Sequence, residues 1–244
     1  FPDKEETNYP SLPGLLNFSY IFMKSQNHCS IKRMRDMESK TEYLNPQKLK
    51  VFWDSNTEPF TLTAVYQWIN PLTLDLSIEV NAKQSLPNFE VFLSSRLTKK
   101  FSECYIYAKE NNRVRFLSTS DKEKEYHAFP RDETAIRIIE DGRWKTLANP
   151  VNCPSFHKPI IYRIDRVSRL AVVHMTIKDN CFAVSTFNRS NTMHLSLFGK
   201  TLEAGKSIST FVRMIIVPQL NEDENEIVKA YDEFSSVYEI GRAH

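Results

Sequence analysis

The chain has 244 residues, 41% of them apolar and 25% charged, which is enough to bury one sizeable core. Lys+Arg 32 against Asp+Glu 30 leaves a formal net charge of +2, so the charge balance gives no reason to expect nucleic acid or an acidic membrane surface as a partner. The longest apolar runs fall far short of the ~20 residues a membrane-spanning helix needs. With only 5 Gly, neither GxGxxG nor a GxxxxGK loop can be written, which excludes the glycine-rich phosphate loops.

The first ~30 residues place Pro2, Pro10 and Pro13 around an apolar patch at 15–23 and are expected to form an arm packed through aromatics. Residues 30–45 are charged and non-periodic, suiting a solvated loop or an edge strand. From residue 48 the period becomes two. Phe60, Leu62, Ala64, Tyr66 and Trp68 alternate with Thr61, Thr63, Val65 and Gln67, Asn70-Pro71-Leu72-Thr73 turns the chain, and Leu74, Leu76, Ile78 and Val80 alternate with Asp75, Ser77 and Glu79. This pattern predicts a long antiparallel hairpin with one buried and one wet face, and puts Trp68 in the buried row. A strand over 89–97 follows the turn Ser85-Leu86-Pro87-Asn88.

Residues 98–128 are more polar and are expected to give short strands near 104–108 and 113–117 and a long surface loop, the kind of excursion that often borders a binding site. A short helix is expected over 134–140, then strands over 159–164, 170–177, 181–186, 194–198 and 208–217. The last is apolar on both faces, with Arg213 its only charge, and should be central and covered twice. Ile227, Val228, Ala230, Tyr231, Phe234 and Val237 recur at helical spacing. The sum is a mostly β chain: a large antiparallel β-sandwich over 31–220, preceded by the arm at 1–30 and closed by a short C-terminal helix in 221–244 that packs on the same domain.

Cysteines at 29, 104, 153 and 181 form no CxxC pair, and the histidines at 28, 127, 157, 174, 194 and 244 give no HxH or HxxxH, so no metal and no cofactor is expected from local motifs. A GxSxG nucleophile elbow is absent too.

Several strings carry a resemblance. Thr63-Ala64-Val65-Tyr66-Gln67-Trp68 with Asn70-Pro71-Leu72-Thr73-Leu74-Asp75-Leu76 resembles a hairpin of the galactose-mutarotase-like β-supersandwich superfamily. Leu86 to Leu93, Phe129-Pro130-Arg131-Asp132-Glu133, Asp141-Gly142-Arg143-Trp144, Cys181 to Ser185, His194 to Gly199 and Leu202 to Ser207 are similar to a subgroup of uncharacterised bacterial proteins within it. The resemblance spans roughly 48–218. It implies a carbohydrate or a related polyhydroxylated small molecule as the ligand, with a sugar cleft on one concave face. It also implies aldose epimerase-type acid–base chemistry, in which a His protonates the ring oxygen while a Glu takes the anomeric hydroxyl proton. The glutamate context that epimerases carry near the C-terminus does not recur; Glu203 sits in what reads as a turn. The alternative is a non-catalytic carbohydrate-binding domain, or a structural domain with a homodimer contact through the arm and the 98–128 excursion.

On that footing His127 and His174 are the candidate catalytic residues, and Arg131, Asp132, Glu133, Trp144 and His194 the candidate substrate-binding residues. The planar fork of Arg131 suits sugar hydroxyls or a carboxylate, although Asp132 and Glu133 equally suit a helix N-terminus. His174 interrupts the apolar run 171–175, as a cleft acid or as a satisfied interior imidazole. His194 opens a strand on the side of Ser196 and Phe198. Trp144, following a Gly turn, is the aromatic best placed for a sugar ring to stack on.

Overall fold

A computed structural model describes residues 14–25, 28–119, 126–139, 153–221 and 223–240. In chain order the strands are β1 (Gly14–Ser25), β2 (His28–Arg33), β3 (Lys40–Asn45), β4 (Lys48–Asp54), β5 (Phe60–Asn70), β6 (Thr73–Ala82), β7 (Leu86–Arg96), β8 (Glu103–Glu110), β9 (Arg113–Ser118), β10 (Tyr126–Pro130), β11 (Phe156–Asp165), β12 (Leu170–Thr176), β13 (Cys181–Phe187), β14 (Thr192–Leu202) and β15 (Ser207–Val217). Helix α1 (Glu133–Ile139) follows β10, and α2 (Asn225–Ile240) closes the chain.

Among the described residues these strands make two sheets, a six-stranded one in the order β10-β13-β14-β7-β1-β2 and a nine-stranded one in the order β3-β4-β5-β6-β15-β12-β11-β8-β9. The strand pairs are antiparallel throughout, as short turns between period-two segments require. The sheets face each other across one apolar layer. Phe60, Leu62, Ala64, Leu76, Ile78 and Val80 come from the nine-stranded side, and Phe89, Val91, Leu93, Leu195 and Leu197 from the other. Each fully buried Leu, Ile, Val or Phe side chain here contributes about 1.5–3 kcal/mol.

The nine-stranded sheet has a second apolar layer on its outer face. Ile160, Tyr162, Val173, Met175 and Val217 are covered by Ile227, Tyr231 and Phe234 of α2. So β11, β12 and β15 are buried on both sides, the situation that the two-sided apolarity of 208–217 anticipates. The outer face of the six-stranded sheet carries a smaller cluster, Ala128, Phe182 and Ala183 against Ala135 and Ile139 of α1.

Three expectations change. The segment read as an arm supplies β1, an interior strand hydrogen-bonded to β7 on one side and β2 on the other, with Leu16, Ile21 and Phe22 fully buried. Irregular register at Gly14/Asn17 and Phe18/Tyr20 breaks its alternation, which is why the period-two signal is lost there. Trp68 is 40% exposed, not in the core, because the buried row of β5 ends at Ala64, ahead of the turn to β6. Asp75, on the face expected to be wet, is buried: α2 lies over it, Arg213 grips both its oxygens at 2.7 Å from the facing position on β15, and Tyr238 donates to it at 3.1 Å. The fork geometry makes this the strong form of ion pair, and it lets a charged position on β15 lie under a helix.

Candidate functional site

The sequence candidates fall at separate places. His174 points from β12 into the layer between the sheets, where its Nε2 lies 3.3 Å from the Ser95 hydroxyl that also accepts from the Leu16 amide. Burial pushes its imidazole down to about 3, so it is neutral at any ordinary pH. His127, opposite Thr186 on the edge strand β10, is buried with its Nδ1 4.0 Å from Cys153 Sγ. Arg131 and Asp132 are brought together at the start of α1. Arg131 Nε donates to Asp132 Oδ2 at 2.7 Å, Arg131 Nη1 donates to the Asp179 carbonyl, and Asp132 Oδ1 accepts from the Ala135 amide at 3.0 Å. That is helix-capping geometry. Against partial burial, which raises it, the Arg131 and Ala135 N–H groups hold the Asp132 carboxyl below its usual range. Glu133 is exposed in the first turn of α1. Trp144 lies outside the described residues.

His194 faces the outer side of the six-stranded sheet, stacked on Phe92 at 4.7 Å and 26°. It is 2% exposed, and burial drives its imidazole down to about 3. Neither ring nitrogen has a hydrogen-bond partner among the described residues.

A buried polar cluster that the sequence does not announce centres on Arg163 of β11, whose side chain is fully enclosed. It donates to the carbonyls of Phe101 and Ser102 at 3.0 and 3.3 Å, to Asn191 Oδ1 at 3.3 Å, to Thr186 Oγ1 at 2.8 Å and to Asn188 Oδ1 at 2.6 Å. Desolvation lowers its pKa. These partners are neutral and come from β13 and two loops, so its work is to pin those loops to the sheet.

A cavity lies elsewhere, on the outer face of the nine-stranded sheet beside the start of α2. It measures about 410 Å³ and is lined by Tyr105, Tyr162, Ile164, Arg166, Arg169, Leu220, Asn221 and Glu224. None of His127, Arg131, Asp132, Glu133, His174 or His194 borders it.

Its floor follows from the strand register. Tyr105 and Tyr162 are direct cross-strand partners on β8 and β11, so their rings stack at 4.9 Å and 11°. Phe116 of β9 meets Tyr162 edge-on at 5.1 Å and fixes its tilt. One wall is the turn between β11 and β12. There Asp165 accepts from Val167 N and Ser168 Oγ, and the left-handed Arg169 (φ 59) completes the reversal. Arg166 is ion-paired with Glu103 and donates to Tyr105 Oη at 3.2 Å. Arg169 holds the Leu220 carbonyl, with Nε at 3.0 Å, and so ties the second wall to the first. That second wall is the run from Leu220 into α2. Glu224, left-handed at φ 54, accepts a hydrogen bond from Tyr162 Oη there. Desolvation lifts its carboxyl to about 7, so it exchanges a proton near neutral pH.

This cleft combines the half-buried ring of Tyr105, guanidinium donors and a titrating carboxyl, the inventory of a small-ligand site. Sequence reasoning missed it because each member sits in a different strand, turn or linker. The one local signal was Tyr105 within the polar 98–128 excursion. The fold and cleft together define an antiparallel two-sheet sandwich with an open site on its larger sheet.

Neither a protein-family profile nor any curated protein matches this sequence. Among solved structures the backbone is similar to a candidate aldose 1-epimerase from Escherichia coli K12, with 10% identity over 80% of this chain and 78% of that one, at a TM-score of 0.46. It is also similar to a GH36 alpha-galactosidase from Geobacillus stearothermophilus (TM-score 0.43, 11% identity, 84% of this chain) and to heparan sulfate lyase HepC from Pedobacter heparinus (TM-score 0.42, 8% identity, 83%). The chain spans 28% and 24% of those two larger enzymes.

Proposed function

We propose that this chain binds a carbohydrate or a related polyhydroxylated ligand in the cleft between Tyr105, Tyr162 and the start of α2. The observation that carries the reading is the half-buried Tyr105 ring, backed by the buried Tyr162, at the floor of a cavity of about 410 Å³ whose rim is Arg166, Arg169 and Glu224. Sugar rings lay their C–H faces on aromatic rings while their hydroxyls take up charged and amide hydrogen bonds, and the cleft offers both. The resemblance of the strand strings to galactose-mutarotase-like proteins supports the same ligand class.

The test is saturation-transfer NMR on the full chain against a panel of common aldoses and ketoses, repeated with Tyr105→Ala. The expected result is sugar signals that weaken at least fivefold in the variant. Transfer to no sugar in the panel, or transfer unchanged by the substitution, overturns the assignment.

A second reading adds catalysis. The Glu224 carboxyl, lifted to about 7 and in contact with the Tyr162 hydroxyl, has the proton affinity that a group serving ring opening needs. Exchange spectroscopy of anomer interconversion decides it. Acceleration lost in Glu224→Gln supports the reading, with His127→Asn and His174→Asn as the parallel replacements of the other candidates. Binding without acceleration leaves a non-catalytic module.

A further inference from the structure

The charges around the cleft suggest what kind of polyol it takes. Arg166 and Arg169 both line it, and each spends only part of its fork on the protein. Arg166 uses Nε on Glu103 and Nη2 on Tyr105, and Arg169 uses Nε and Nη2 on Leu220. The Nη1 group of each makes no hydrogen bond among the described residues. A guanidinium has five N–H donors, so both can still take a bidentate acid group. Arg166 is also the more accessible partner of its ion pair, its side chain 69% exposed against 21% for Glu103.

We propose that the cleft selects an anionic sugar, one carrying a carboxylate or phosphate, with Arg166 and Arg169 as the anion-holding residues and Glu224 as the group whose protonation admits the charge. This rests on the carbohydrate reading of the same cleft and narrows it.

The charged groups around it are Arg166 and Arg169 with Asp165 in the β11–β12 turn, Glu103 of β8 paired with Arg166, and Glu224 before α2 with Glu226, which accepts from the Asn221 amide. Tyr105 and Tyr162 are the other titratable groups, and Asn221 is neutral. With Glu224 ionised, its carboxylate joins those of Glu103, Asp165 and Glu226 in opposing an incoming acid. With Glu224 protonated the one carboxylate that lines the cleft itself is neutralised, and the carboxyl can donate to the ligand instead of repelling it. Because burial already biases this carboxyl toward its neutral form, the proton needed is on hand close to pH 7. Binding of an acidic sugar therefore takes up a proton, and its affinity falls as pH rises through neutrality. A neutral sugar shows no such slope.

Calorimetric titration of the full chain tests this with matched pairs: glucose against glucuronate, galactose against galacturonate, and glucose against glucose 6-phosphate. The expected result at pH 6 is at least a tenfold preference for the acidic member of one pair, and which pair responds separates carboxylate from phosphate. That preference should shrink at least fivefold by pH 8. Arg166→Gln, at an exposed position whose loss the fold tolerates, should erase it by weakening the acidic member at least tenfold more than its neutral partner, and Glu224→Gln should flatten the pH slope. Equal affinity for acidic and neutral members overturns the anionic proposal and leaves the carbohydrate reading standing. No binding by any member removes both. A preference that Arg166→Gln does not touch places the anion elsewhere and also overturns the proposal.

Discussion

At the scale of single residues, the interior holds two imidazoles that stay neutral. His174 lies in the layer between the sheets, and His194 is buried on the far side of the six-stranded sheet. Burial depresses both from the ordinary value near 6.5 to about 3. The sign of the effect follows from proton counting. Between about pH 6.5 and 3 the unfolded chain binds protons at these positions that the folded chain refuses, so stability drops as pH falls through that window and is flat above it. Denaturant midpoints measured from pH 8 to pH 4 should fall below pH 6.5, two histidines outweighing the opposing gain from the single raised carboxyl of Glu224 between about pH 7 and 4.5, and the fall should be shallower in His194→Phe, which removes one titration and keeps the stacking on Phe92. At neutral pH that variant should match or exceed the parent, since a ring with two unpartnered nitrogens gives way to one that needs none, a gain of up to about 1–2 kcal/mol. A slope unchanged by the substitution would show that His194 protonates freely in the folded chain.

At the scale of elements, α2 decides how the larger sheet is finished. It buries Ile227, Tyr231 and Phe234 against β11, β12 and β15, and Phe234 also sits 5.0 Å beneath the Arg213 guanidinium and edge-on to Tyr238 at 5.1 Å. Phe234→Ala leaves a void in a fully buried site and weakens the cover over the Arg213–Asp75 pair, so we expect a loss of about 3–5 kcal/mol in urea unfolding. Val237→Ala, three residues on but 61% exposed, should cost less than about 0.5 kcal/mol. A comparable cost at both positions would mean that α2 is not seated on the sheet as described. The helix has a second consequence: the run that leads into it, anchored by Arg169 on the Leu220 carbonyl, is one wall of the cleft. Stability of the helix and occupancy of the site are therefore linked, and a bound ligand should raise the midpoint of the parent chain.

At the scale of the whole molecule, β11, β12 and β15 belong to both apolar layers, with Ile161, Val172 and Met214 facing the six-stranded sheet and Ile160, Val173 and Val217 facing α2. Layers that share strands cannot melt independently. Calorimetry should therefore show one transition in the parent chain, and one transition at a lower midpoint in Phe234→Ala. A separate early step for α2 would contradict this sharing.

What the sequence determined by itself was the alternation. Wherever residues 60–82 and 208–217 repeat apolar side chains at period two, a strand with a defined inner face follows, because successive side chains must point to opposite sides of a pleated backbone. The terminal helix was legible for the same kind of reason at period 3.6. Which strand lies beside which, and what covers an outer face, depends on long-range association that no local period encodes. So β1 looked like an arm because bulges hide its alternation, Trp68 looked buried because its row does not announce where the opposing sheet ends, and Asp75 looked wet because the helix that covers it lies more than 140 residues downstream. The cleft belongs wholly to tertiary structure. Tyr105, Tyr162, Arg166 and Glu224 carry no shared motif, and only the pairing of β8 with β11 and the return of the chain over that face bring their side chains around one cavity.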